Sequence, residues 1–250
     1  MISIKRTSPP PELTQEVVAK KVAKFKATNS HVWNEQYIKD ALSGMSHNKC
    51  CYCECELNIE GQYMEVEHFH DKKQYPDEVV DWNNLLPSCK RCNGHKSTHD
   101  TVSEPIVNPT LDCPQDHMLL KHCVRFRAKD TIGQRTIDVL FLNDQDKLVL
   151  PRFQVNQALS VKLEEFWELA QAIAAGNNVG TYWNRKLQNG MVSLLQECQP
   201  DKAYTAVKVA TVLTDDCYDK IKQSMAQLNL WTEEMSCLES AMLPYKYDAA

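Results

Sequence analysis

A chain of 250 residues, 43% hydrophobic and 24% charged, is long enough for one full-sized domain with extensions or for a small catalytic module beside a second packed region. No apolar run approaches the ~20 residues that a membrane span requires, and the opening Met-Ile-Ser-Ile-Lys-Arg has no apolar stretch behind it, so a cytoplasmic, reducing compartment and no membrane partner are expected. The net charge of −5 argues against a protein that coats nucleic acid non-specifically, yet residues 1–49 hold eight Lys/Arg against four Asp/Glu and residues 50–100 five against ten. An acidic segment that had to approach phosphates would need bound cations to invert its field.

After an extended Ser8-Pro9-Pro10-Pro11, residues Leu13, Val17, Val18, Val22 and Phe25 recur at helical spacing with Lys20, Lys21, Lys24 and Lys26 around them. This predicts a basic amphipathic helix, whose lysines read more plainly as a solvated face than as phosphate contacts. A short helix around Asn34 to Met45 follows. From Cys50 to about Asp100 the periodicity breaks into loops around a strand-like Gln62–Val66, so a bound metal rather than an apolar core should hold the segment together. Glu104–Pro109 and Thr136–Leu142 read as short strands or strand-to-turn pieces. Then Val155, Leu159, Leu163, Phe166, Trp167, Ala170 and Ile173 form a helical stripe, with further helices near 181–197 and 201–226. The expected organisation is α+β: a basic helical extension over 1–49, a core over 50–110, and a mixed, then helical region over 111–250.

Of the eleven cysteines, six fall at 50, 51, 53, 55, 89 and 92. Two CxxC pairs, Cys50–Cys53 and Cys89–Cys92, each let a tight turn aim two thiolates at one ion, and four sulfurs complete a closed tetrahedron, hence a structural Zn²⁺. Cys51 and Cys55 are spare in that register, although they could compete in another.

Between and beside these pairs lie Val66-Glu67-His68-Phe69, Trp82-Asn83-Asn84-Leu85 and Cys92-Asn93-Gly94-His95-Lys96. This segment resembles the HNH (ββα-metal) nucleases, which carry an acidic residue and His ending a first strand, an Asn-Leu before the second, and Cys-x-x-Cys followed by Asn or His and a Lys. The resemblance implies a ββα-metal core flanked by helices. His68 would act as general base, since imidazole titrates near neutrality. Glu67 and Asn93 would offer hard oxygens to a catalytic Mg²⁺ or Mn²⁺. Asn84 would fix the loop around His68 by hydrogen bonds. Lys96, expected on the first turn of a helix that Cys92 and Asn93 begin, would face phosphate, with His95 as an accessory contact.

The wording around the core is more particular. Glu67-His68-Phe69, Tyr75-Pro76, Val79 to Cys89, Cys92 to Lys96 and Pro105-Ile-Val-Asn-Pro109 resemble the HNH subunit of Septu-type anti-phage systems, in the branch found beside retrons. The chain departs from that pattern at His70-Asp71-Lys72-Lys73, where a Pro is missing. The resemblance implies an SMC/ABC-like (PtuA-like) ATPase subunit as partner, a retron reverse transcriptase with its multicopy single-stranded DNA as another, and a nucleic-acid substrate, with DNA the family default and tRNA the alternative. The helical C-terminal region would then be the docking surface. Two other classes stay open on sequence alone: a non-catalytic zinc-dependent nucleic-acid-binding module, and an adaptor that scaffolds the ATPase.

Overall fold

The computed structural model describes residues 1–248. They form two compact units, one made of Met1–Met118 and Arg127–Leu142, the other of Leu119–Phe126 and the chain from Asn143 onward. The basic N-terminal helix and the cysteine-rich segment therefore share one unit, and the chain divides near 118 and 142 rather than at 49 and 110.

In the first unit, α1 (Gln15–Thr28) starts where the Thr14 hydroxyl accepts from the Val17 N–H and stops at Asn29, whose left-handed backbone returns its N–H to the Phe25 carbonyl. Helix α2 (Gln36–Ser46) ends at His47, again left-handed, and buries Ile38, Leu42 and Met45 against the sheet. That sheet is two antiparallel strands, β1 (Met64–His68) and β2 (Leu85–Cys89), in a register that sets Met64 opposite Cys89, Glu67 opposite Leu86 and His68 opposite Leu85. Helix α3 (Lys90–Lys96) follows without a linker and packs on both strands. One side chain pins the turn that enters β2: Arg6 donates to the carbonyls of Trp82, Asn83 and Leu85 and to the Thr110 hydroxyl.

Beyond the core come the short α4 (Pro114–His117), a second two-stranded sheet of β3 (Met118–Lys121) and β4 (Arg125–Ala128), and α5 (Thr131–Val139). Here two expectations are corrected. Glu104–Pro109 has no strand pairing, and Thr136–Leu142 is the end of a helix and the turn after it. The β-branched run is overridden by a strong helix start: Asp130 caps the Gly133 N–H at 2.7 Å, and Thr136 returns its hydroxyl to the Ile132 carbonyl while accepting from the Val107 N–H. Gly133 is required there by close approach, since a Cβ would stand 1.9 Å from the His117 carbonyl oxygen.

The second unit is a helical pack of α6 (Leu150–Ala174), α7 (Thr181–Glu197), α8 (Thr205–Thr214), α9 (Asp216–Gln227) and α10 (Glu233–Met242). Its core gathers Leu163 and Ala170 from α6, Leu187, Met191 and Leu195 from α7, Val209 and Val212 from α8, Ile221 and Met225 from α9, and Met235 from α10. Capping by Asp215 breaks the expected 201–226 helix in two. No helix among the described residues is long and apolar enough to cross a membrane.

Candidate metal centre

Four thiols converge first. The Cys50–Cys55 segment curls back on itself through Cys50 N–H to the Cys55 carbonyl and Glu54 N–H to the Cys50 carbonyl, with Glu54 in the left-handed region. The Cys51 N–H donates to the Pro87 carbonyl, which fastens this knuckle to β2. The second knuckle is the β2–α3 junction itself: Cys89 caps the helix by accepting the Cys92 N–H on its sulfur at 3.4 Å. The sulfurs of Cys50, Cys53, Cys89 and Cys92 all lie within 4.8 Å of one another, Cys53 and Cys89 at 3.8 Å, and all four residues are buried. Zn–S bonds of about 2.3 Å in a tetrahedron require sulfurs about 3.8 Å apart, so the donor set fits a zinc ion in kind, number and spacing. As a free thiol Cys92 is pushed well up by hydrogen bonds with the Cys50, Cys53 and Cys89 sulfurs and by burial. Ionising all four together calls for a cation. Cys51 and Cys55, though buried, stand outside this set.

The strand and helix that carry the thiols also carry the polar motif residues. Glu67 is only 2% exposed, and its Oε1 pairs with Lys96 Nζ at 2.7 Å and accepts from the Tyr52 hydroxyl at 3.4 Å. Burial pushes its carboxyl up to about 7, against the downward pull of Lys96. His68, 4% exposed, holds the Val79 carbonyl through Nε2 at 2.9 Å. A carbonyl can only accept, so Nε2 carries the proton and Nδ1 keeps its lone pair. Burial, with Lys72 adding to it, drops the imidazole to about 3 and keeps it neutral. Trp33 stands edge-on to the ring with centroids 4.7 Å apart, and Lys72 lies over Trp33. Asn84 is a brace: its Oδ1 accepts the His70 N–H at 2.7 Å, and its amide donates to the His70 and Glu78 carbonyls. It thereby fixes both the chain just after His68 and the residue before Val79.

Asn93 donates through Nδ2 to Glu65, whose Oε2 accepts at 2.7 Å. Glu65 and Glu67 alternate onto one face of β1, and Asn93 and Lys96, three apart, share the facing side of α3. Lys96 corrects its expected position. The helix begins at Lys90, so Lys96 is its last residue, 1% exposed, paired to Glu67 and donating to the His68 carbonyl instead of facing phosphate. His95 is exposed beside Phe141. Among the described residues, Glu67 Oε2, His68 Nδ1 and Asn93 Oδ1 have no hydrogen-bond partner. Each motif side chain is thus anchored by one atom and offers another. Sequence reasoning missed Glu65, Tyr52, Trp33 and Arg6. Only Glu65 left a signal, its i, i+2 spacing from Glu67 on a strand.

No protein-family profile matches the chain. The Septu protein PtuB of Bacillus thuringiensis is 41% identical over 243 residues, 96% of this chain and 93% of that protein. The chain belongs to the Septu PtuB family. A second PtuB, from Bacillus mycoides strain KBAB4, is 28% identical over 162 residues, about half of each chain (52% and 54%). Membership makes this PtuB-family chain a component of Septu-type anti-phage defence, and the 93% coverage extends the likeness through the helical unit as well as the cysteine-rich one.

Proposed function

We propose that this PtuB-family protein is a metal-dependent HNH endonuclease that hydrolyses nucleic-acid phosphodiesters. The observation that carries the reading is the anchored imidazole. His68 follows Glu67 at the end of β1 and is tethered through Nε2 to the Val79 carbonyl, which leaves Nδ1 without a hydrogen-bond partner. The strand–strand–helix order, the four-thiol staple and Asn84 as loop brace support the same reading.

Glu67 Oε2 and Asn93 Oδ1 are hard oxygen donors that would hold Mg²⁺ or Mn²⁺. Such an ion supplies charge neutralisation at the phosphate and the leaving 3′-oxygen. The chain's own residues do the rest. His68 Nδ1 takes the proton from the attacking water, the Val79 carbonyl steadies the imidazolium that results, and a bound phosphate raises the ring's low basicity. Lys96 opposes the effect of burial on Glu67 and engages its Oε1, and a bound cation would favour the ionised carboxylate further. The substrate is DNA or a structured RNA such as tRNA, because these groups engage phosphate and not base. A PtuA-like ATPase subunit is the partner that family membership suggests; a retron reverse transcriptase with its single-stranded DNA rests on the sequence resemblance alone.

The full chain, incubated with plasmid DNA and with total tRNA in Mg²⁺, Mn²⁺ or EDTA, should cut one pool in a cation-dependent manner, and Asn93→Ala should raise the cation requirement. Absence of cleavage in both pools, with and without the ATPase, would reject the proposal. One observation favours the second reading, a non-catalytic zinc module: Glu67 is already ion-paired in a buried site. That reading requires zinc-dependent nucleic-acid binding without turnover.

A further inference from the structure

We infer that Glu65 is the positioning residue of the cation site, resting on the nuclease reading above. Asn93 can serve a cation only through Oδ1, yet an asparagine amide can turn over and present Nδ2 instead, a donor that repels cations. Glu65 removes that ambiguity. A carboxylate accepts and cannot donate, so its 2.7 Å contact requires Nδ2 to face Glu65 and Oδ1 to face away. Glu65, half-buried on β1, has no other hydrogen bond or ion pair among the described residues, so no competing contact draws its carboxylate from Asn93. Its position follows from the fold: two residues before Glu67 on the same strand face, opposite the turn of α3 that precedes Lys96. The same device recurs at His68, where an acceptor-only Val79 carbonyl selects which ring atom is left available. A carboxylate behind a metal-ligating side chain is a general means of orienting it, and its loss lowers metal affinity by about 10–100-fold.

The test measures Mn²⁺ binding to the zinc-loaded full-length protein by the electron paramagnetic resonance signal of free Mn²⁺, beside the half-saturating Mn²⁺ concentration for cleavage. Glu65→Ala should weaken Mn²⁺ binding at least about tenfold, with the cleavage rate at saturating Mn²⁺ falling far less. Glu65→Gln, which keeps an oxygen acceptor for Asn93, should stay within about threefold of wild type. Unchanged affinity in Glu65→Ala overturns the inference. So does a large loss in Glu65→Gln, which would make Glu65 a direct charge partner of the ion; this arm also decides the matter if the alanine variant fails to fold. If the wild type binds Mn²⁺ and the two variants behave as stated but nothing is cut, the orienting role stands and the nuclease reading falls. A wild type that binds no Mn²⁺ removes both.

Discussion

His68 shows how much one residue's environment decides. The motif Glu67-His68 marks it in the sequence, but neither its tautomer nor its basicity can be read there, because both depend on Val79, eleven residues on, and on burial beneath Trp33. The consequence is measurable as stability. The ring's pKa falls from about 6.5 in an unfolded chain to about 3 in the folded one. Between those values the unfolded chain binds a proton that the folded chain refuses. The neutral ring's contribution is therefore whole above pH 6.5 and drains as pH falls toward 3. Glu67 acts oppositely: its carboxyl sits at about 7 when folded, so acidification from 7 toward the ordinary carboxylate range favours the folded state. Comparing wild type with His68→Gln isolates the first effect. Urea unfolding at pH 6.5 and 4.5 should show the wild type losing about 2 kcal/mol more than the variant, and equal losses would mean that the ring titrates normally. Lys96 teaches a similar lesson. Its place in the motif was legible, but its burial against Glu67 depends on where α3 begins, and Cys89 as cap moves that start forward to Lys90.

At the scale of elements, periodicity served best where tertiary contacts agreed with it. Thr181–Glu197 matches its expected bounds, and Leu150–Ala174 contains the whole apolar stripe. It failed at Thr136–Leu142, where the Asp130 cap outweighs β-branched composition, and it offered nothing for the β3–β4 pair or for α10. The two CxxC pairs were fully legible, since ligand spacing is local chemistry. The turn between α1 and α2 was not. It lays Trp33 against His68, with Phe25 and His31 against the indole and Lys21 holding the Val32 carbonyl and Glu35. Because that indole covers the imidazole, Trp33→Ala should speed modification of His68 by diethyl pyrocarbonate several-fold, read by peptide mass mapping. An unchanged rate would mean that the ring is shielded by other groups.

At the scale of the molecule, the two units differ in what holds them. The helical unit has a continuous apolar core; the first unit also packs Ile38, Leu42, Val79, Leu85 and Leu86, against the sequence expectation of a metal in place of a core, but its two cysteine knuckles converge on four thiols. Removing zinc should therefore destabilise the first unit, beginning at the knuckles, and spare the second. Chelation at neutral pH is expected to leave most of the helical far-ultraviolet signal and its cooperative thermal transition while releasing about one zinc per chain. Loss of both units together, or a chain that holds no zinc, would contradict this division. Family membership spans both units, and the four-thiol cluster and the motif residues lie in the first.

Cleavage by wild type and by His68→Ala, each with its zinc in place and assayed with the PtuA-like ATPase in Mn²⁺ on plasmid DNA and tRNA, is the most direct trial of a phosphodiesterase built on one imidazole. The expected result is cation-dependent cutting by the wild type and a loss of at least about a hundredfold in the variant. Equal cutting by the two proteins would contradict it.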